Sequence, residues 1–208
     1  MAKKEYKSIK NQILVLIQEK DLGELIFSSD YFHMGNPEAI NMAFSRLAKE
    51  ERLIRLAKGI YLNPKIDPQL GKLHPSLEDV AHAIANKEKV RIRPTGAYAL
   101  NRLGLSTQVP MKVVFLTDGS PRKIKIGKGT ISFKHTTPKK LAAEDPLTFL
   151  VIQALLELGK DGIDDEVFNR LHQVLQDKST KTIREDAKLA PIWIAKILYL
   201  IAEKIDNS

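Results

Sequence analysis

The chain has 208 residues, 43% of them hydrophobic and 28% charged, which is enough apolar material for one large or two small cores and excludes a disordered composition. It has no cysteine, so a disulfide framework, a thiolate metal site and a cysteine nucleophile are excluded, and a reducing compartment fits. The net charge of +8 is unevenly placed: residues 1–75 hold 12 Lys/Arg against 9 Asp/Glu, residues 76–140 hold 13 against 4, and residues 141–208 hold 8 against 12, so the middle of the chain is a basic body suited to polyanions such as nucleic acid.

The opening "MAKKEYKSIK" is lysine-rich, but a lysine-studded helical pattern follows it and no clean apolar run, so no signal peptide is expected. The longest apolar run, Ala190–Ala202, is too short to span a bilayer and contains Pro191 and Lys196. A soluble cytoplasmic protein without membrane contact is the expectation. The first helix is expected over Glu5–Lys20, where Ile9, Ile13, Leu16 and Ile17 form one stripe. A short second helix is expected over Ser28–Phe32, ending near Gly35.

The third helix has clear start signals: Asn36 as cap, Pro37 in the first turn, and Glu38 at the positive end of the dipole. Ile40, Phe44 and Leu47 make its inward stripe. Asn41, Met42, Ser45, Arg46 and Lys49 lie on the other side, a mixture of amide, small polar and basic groups suited to base edges and phosphates. "LIRL" and "IYLNP" then alternate around Ala57-Lys58-Gly59, a turn of hairpin length, with Arg55 and Lys58 facing out. Three helices followed by a two-stranded hairpin is the order of a winged helix-turn-helix, in which the third helix enters the major groove and the hairpin reaches the neighbouring backbone.

"NPKIDPQLGKLHP" has three prolines and a glycine and reads as a linker. A helix with a capping-box-like "SLED" follows from Ser76 to about Lys87. "VRIRP" reads as a strand with Arg91 and Arg93 on its outer face, and "TGAYALNRLGL" as a short helix closed by Gly104. Strands are expected at Lys112–Thr117, Arg122–Ile126 and Thr130–His135, with Arg122, Lys123 and Lys125 on a basic outer face of a small, mostly antiparallel sheet. Helices are expected at Pro146–Leu158, Asp164–Leu175, Thr180–Leu189 and Ile192–Lys204, the last apolar nearly all round and read as core.

Signals for chemistry are sparse. No two of the five histidines have the spacing of a helical zinc site, and no P-loop or nucleophile elbow is present. The carboxylates of the basic segment, Glu78, Asp79, Glu88 and Asp118, do not cluster as a metal-dependent nuclease requires, and Asp118-Gly119 reads as a turn. No catalytic residue, metal ligand or cofactor is therefore expected.

The segments "RLAKGIYLNPK" and "RPTGAYALNRLGLSTQVPMKVVFLTDGSPRKIKIGKGTISFK" together resemble AbiEi-type antitoxins of type IV (abortive infection) toxin–antitoxin systems, most specifically over Arg93–Thr117. The resemblance implies an α+β protein in two parts. Residues 1–66 would be a winged helix-turn-helix, 67–75 a linker, and 76–208 an antitoxin domain with a basic sheet part (76–140) and a helical part (141–208). It also implies an autorepressor that binds inverted repeats in its own promoter, on double-stranded DNA, and counteracts a nucleotidyltransferase-like toxin, without enzymatic activity of its own. The DNA-reading residues would be Asn41, Met42, Ser45, Arg46, Lys49, Arg55 and Lys58. Arg91, Arg93, Arg122, Lys123 and Lys125 would form a second basic surface. The competing expectation is a protein-interaction module whose winged helix is structural and whose basic sheet docks an acidic partner.

Overall fold

A computed structural model describes residues 8–207. The chain divides into two units, one comprising Met1–Ala83 with Lys125–Gly127, the other Ile84–Ile124 with Lys128–Ser208. The part of the expected first helix that precedes Ser8 lies outside the described residues.

In the first unit, α1 (Ile9–Gln18) starts at Ser8, whose hydroxyl accepts from the Asn11 N–H, and buries Ile13 and Ile17. Strand β1 (Leu25–Phe27) comes next, then a 3₁₀ stretch, Ser28–Met34, where the sequence suggested a second α-helix. A 3₁₀ turn suits a seven-residue segment closed at Gly35 and too short to propagate α-helix well. Helix α2 (Pro37–Lys49) begins at the expected cap, with Asn36 Oδ1 accepting from the Glu38 N–H at 2.8 Å. It buries Ile40, Ala43, Phe44 and Leu47. Strands β2 (Ile54–Ala57) and β3 (Ile60–Leu62) form a hairpin, and β1 pairs antiparallel with the far side of β3, giving the order β1-β3-β2. The register slips between Arg55 and Ala57, so Leu56 is a bulge that sharpens the twist of the hairpin.

The core of this unit centres on Phe44, which is fully buried. Its ring meets Tyr31 edge-on at 5.2 Å and Tyr61 at 5.0 Å. The segment read as a linker differs in the structure: β4 (Lys65–Asp67) and β5 (Gly71–Leu73) pair as a second hairpin. Asp67 Oδ1 accepts from the N–H groups of Gln69 and Leu70 and so holds the turn, a local bond that the proline content of the segment does not reveal. Helix α3 (Leu77–Glu88) follows, and the division between the units falls within it.

The second unit holds a helical layer and a four-stranded sheet, of whose edge strand the last two residues, Lys125 and Ile126, are grouped with the first unit. The sheet order is β6 (Ile92–Thr95), β7 (Lys112–Thr117), β9 (Gly129–His135), β8 (Arg122–Ile126). β6 and β7 are antiparallel, in keeping with the mostly antiparallel sheet expected, but β7 and β9 are parallel, paired from Lys112↔Thr130 to Thr117↔His135. After β7 the chain passes the place of β9, returns along the edge as β8, and then inserts β9 between the two. Residues 118–121 therefore cross a strand rather than turn a tight hairpin. Gly119 is needed there, because a Cβ would stand 2.8 Å from Val90 Cγ1.

Helix α4 (Ala97–Arg102) precedes β7, and α5 (Pro146–Leu158), α6 (Asp165–Leu175), α7 (Thr180–Ala187) and α8 (Ile192–Asp206) complete the unit. Their starts follow the sequence signals: Asp145 caps α5, Asp164 caps α6 and Ser179 caps α7. Leu155, Leu171, Leu175, Ile183, Leu198 and Ile201 are fully buried in a shared core. Among the described residues, no helix is long and apolar enough to cross a membrane.

One buried polar link ties this layer together. The Asp186 carboxylate, 3% exposed, accepts from the backbone N–H groups of Glu144 and Asp145 at 2.8 and 3.0 Å. Asp186→Asn would point an amide N–H at a backbone N–H and leave a buried donor unsatisfied. We expect it to lower unfolding stability by about 2 kcal/mol, measured by urea denaturation, with the fold retained by circular dichroism.

Candidate nucleic-acid interface

The proposed reading face lies on α2. Successive residues of an α-helix turn by about 100°, so Asn41, Met42, Ser45, Arg46 and Lys49 cover one continuous arc. Asn41, Met42, Arg46 and Lys49 are exposed and Ser45 is half-buried. Asn41 is oriented from behind: the Ser28 hydroxyl donates to its Oδ1 at 2.8 Å. The Ser28 N–H in turn donates to Gly59 O at 3.0 Å. Gly59, at φ +74°, takes a conformation that disfavours side chains, with Ser28 Oγ 3.4 Å from where a Cβ would lie. The chain Asn41–Ser28–Gly59 thus ties the middle of α2 to the turn of the hairpin.

Helix α2 ends in a Schellman turn. The Glu51 N–H donates to Ala48 O at 3.2 Å and the Arg52 N–H to Leu47 O at 2.9 Å, with Glu51 at φ +57° in the position usually held by glycine. This turn buries Leu53 and leaves Arg52 exposed. The acidic pair at the helix end is neutralised in place. Lys10 Nζ lies 2.8 Å from Glu50, and Lys72 Nζ lies 2.7 Å from Glu51, whose carboxyl the hydrogen bond from Lys72 holds below its usual range.

Glu38 is also exposed on this side, in the first turn of α2, while the surface from Arg46 onward is mainly positive. Arg46, Lys49, Arg52, Arg55 and Lys58 are all exposed and enter no ion pair among the described residues. The structure therefore places every expected DNA-reading residue on the surface of one unit. It adds Arg52, which the sequence reading passed over as a flank between helix and hairpin. The signal was present: these cations recur at every third residue from 46 to 58, across the end of the helix and into the strand. Tyr61, 3% exposed and packed on Phe44, fastens the hairpin and is not available to a ligand.

The members of the second basic set differ in what they touch. The Arg91 Nε–H and backbone N–H donate to the Asp118 carboxylate at 2.9 and 2.8 Å. Arg93 is half-buried, its guanidinium 6.0 Å from the centroid of the Phe149 ring. Arg122 bonds Glu88 and lies 5.4 Å over Phe133, with its Nε buried and unpartnered. These three arginines are engaged within their own unit, whereas Lys123 and Lys125 are exposed without such partners. Strand alternation says which side of a sheet a residue occupies, but not that a carboxylate from the crossing loop or from α3 meets it there. Lys134, which the sequence did not single out, and His135, whose place at a strand end in a basic setting suits a phosphate contact, line one shallow depression with Lys123. The His135 Nδ1–H donates to Gly119 O at 3.0 Å. Among the described residues, no three His, Asp or Glu side chains are grouped to hold a metal ion.

A family model described as "Family of unknown function (DUF6088)" matches residues 12–183. No curated protein matches the chain. Among solved structures, the crystal structure of the RV2827C protein from Mycobacterium tuberculosis is similar, with 14% sequence identity, a TM-score of 0.41, and coverage of 91% of this chain and 80% of that one.

The Arg91 pairing has a consequence in acid. The side-chain hydrogen bond from Arg91, and then its backbone N–H, hold the Asp118 carboxyl below its ordinary value. A depressed carboxylate lends stability that is complete above its unfolded pKa of about 4 and is lost as pH falls through the lower folded value. Asp118→Asn should therefore lower stability at neutral pH and flatten the loss of stability below about pH 4. Urea midpoints across that range, compared with those of the unsubstituted chain, measure it.

Proposed function

The chain belongs to the DUF6088 family, whose description assigns no function, and we propose that it is a DNA-binding autorepressor and antitoxin of a type IV toxin–antitoxin operon. On this reading the first unit is a winged helix-turn-helix. Helix α2 enters the major groove, where Asn41, Met42 and Ser45 meet base edges. Arg46, Lys49 and Arg52 hold phosphates at the groove wall, and Arg55 and Lys58 carry the contact along the backbone from the β2–β3 hairpin. The observation that supports it is the unbroken series of exposed cations from Arg46 to Lys58 on a helix and hairpin packed together through Phe44 and Tyr61. At the end of the helix, Glu50 and Glu51 are paired with Lys10 and Lys72, and the one carboxylate on the reading face, Glu38, stands a full turn or more before Arg46 and the other cations.

The antitoxin role rests on the resemblance over Arg93–Thr117 and belongs to the second unit, acting on a nucleotidyltransferase-like toxin. No bond is made or broken by this chain in that scheme, and a cytoplasmic setting goes with it. The competing reading, a docking module for an acidic protein, would use Lys123, Lys125 and Lys134 on the sheet, since the three arginines expected there are engaged.

The two readings part on specific DNA. The full chain should bind its own upstream DNA with a steep salt dependence, and each lost phosphate contact should reduce the slope of log affinity on log salt by about one unit. The double substitution Arg46→Ala/Lys58→Ala should reduce that slope by about two units and weaken binding roughly uniformly across sequences. Fluorescence anisotropy over a salt series measures both. Sequence-blind retention, or a slope unchanged by the double substitution, would overturn the assignment of this face. Co-expression with a nucleotidyltransferase-like neighbour, scored as rescue of growth, tests the antitoxin role separately.

A further inference from the structure

Helix α8 carries more apolar surface than its own core uses. It buries Ile194, Leu198, Ile201 and Ala202. At about 100° per residue, its opposite side presents Ile192, Lys196, Tyr199, Leu200 and Glu203 as a single stripe. Ile192 is 78% exposed, Leu200 55% and Tyr199 39%. The outward side of a surface helix ordinarily carries polar residues in its middle. Here the middle is Tyr199 and Leu200, flanked by Lys196 on one side and Glu203 on the other, with Ile192 a turn beyond the lysine.

Those charges are placed symmetrically. Lys196 lies three residues before Tyr199, and Glu203 three residues after Leu200. Neither enters an ion pair among the described residues, although their neighbours do: Lys188 pairs with Glu185, and Arg184 with Asp206. Lys196 and Glu203 thus stand on either side of the Tyr199–Leu200 pair with no ion pair of their own among the described residues.

We propose that this stripe is the interface of a homodimer, in which α8 packs antiparallel on α8 of a second copy about a two-fold axis between Tyr199 and Leu200. A two-fold interface brings residue i against j and j against i. With the axis at that point, Lys196 of each copy stands opposite Glu203 of the other, and Tyr199 of each packs on Leu200 of the other. A parallel pairing would set lysine against lysine and glutamate against glutamate, so the charge pattern selects the antiparallel one. Contiguous exposed apolar surface rimmed by charge is the kind that marks an interaction site on a soluble protein. The helix is about 22 Å long at 1.5 Å per residue, so one helix pair buries on the order of 1,000 Å², the small end of specific interfaces. A weak dimer is expected, with a Kd in the micromolar range. The dimer does not depend on the DNA reading, and its test uses no DNA.

Sedimentation equilibrium of the full chain over about 1–500 µM should show reversible monomer–dimer association. Lys196→Glu and Glu203→Lys each create two like-charge pairs, and each should weaken association by roughly tenfold or more. The double reversal Lys196→Glu/Glu203→Lys restores both opposite pairs with the partners exchanged, and should return the Kd to within about threefold of the original. Leu200→Asp should leave a monomer at all concentrations, and circular dichroism should show native helix content in every variant. A chain that stays monomeric throughout the range would leave the face to a different protein and overturn the proposal. Association that ignores the single reversals, or a double reversal that fails to rescue, would place the interface elsewhere and overturn it as well.

Discussion

The ring of Phe44, fully buried between those of Tyr31 and Tyr61, joins three segments that are far apart in the sequence: the 3₁₀ stretch, α2 and β3. Aromatic rings at these separations gain from burial and from edge–face complementarity. Because Tyr61 stands in register with Arg55, the position of one ring sets the bearing of a cation on the outer strand of the hairpin. The polar chain from Asn41 through Ser28 to Gly59 runs beside this contact and fixes α2, the 3₁₀ stretch and the hairpin a second time. An interface whose parts are held in advance loses little entropy when it meets a rigid partner.

The chain spends its positive charge in two ways. In the first unit, carboxylates at the end of α2 are matched by lysines from α1 and β5, which leaves a run of cations without an ion-pair partner among the described residues. In the second unit, where the sequence is most basic, arginines are used as structural members. Arg91 ties the start of β6 to the crossing loop through Asp118, and Arg122 joins β8 to the end of α3 through Glu88 while stacking on Phe133. Net charge by segment therefore overstates how much of the middle of the chain can attract a polyanion.

Local signals carried well from sequence to structure. Helix α5 has its expected limits, α6 starts one residue after its capping Asp164, and α2 begins at Asn36-Pro37, because capping bonds join residues two or three apart and are visible as short motifs. Non-local features were not legible. Strand β1 is only three residues long and exists because β3 pairs with it across more than thirty positions. The parallel pairing of β7 with β9 depends on a strand crossing that no turn motif announces. The face of α2 was legible because helical periodicity sorts inside from outside. The fate of Arg91 and Arg122 was not, since their partners Asp118 and Glu88 come from other elements.

The sheet order puts β8 at an edge, beside β9 and away from β7. A strand there offers unpaired N–H and C=O groups, an open template on which another extended chain can grow, and proteins commonly block such margins with lysine. Lys123 and Lys125, exposed on this strand, supply that blockade. Any second chain laid alongside would have to bring its backbone against two close, hydrated ammonium groups. The lysines thereby guard this margin of the sheet against extension, whatever else they touch.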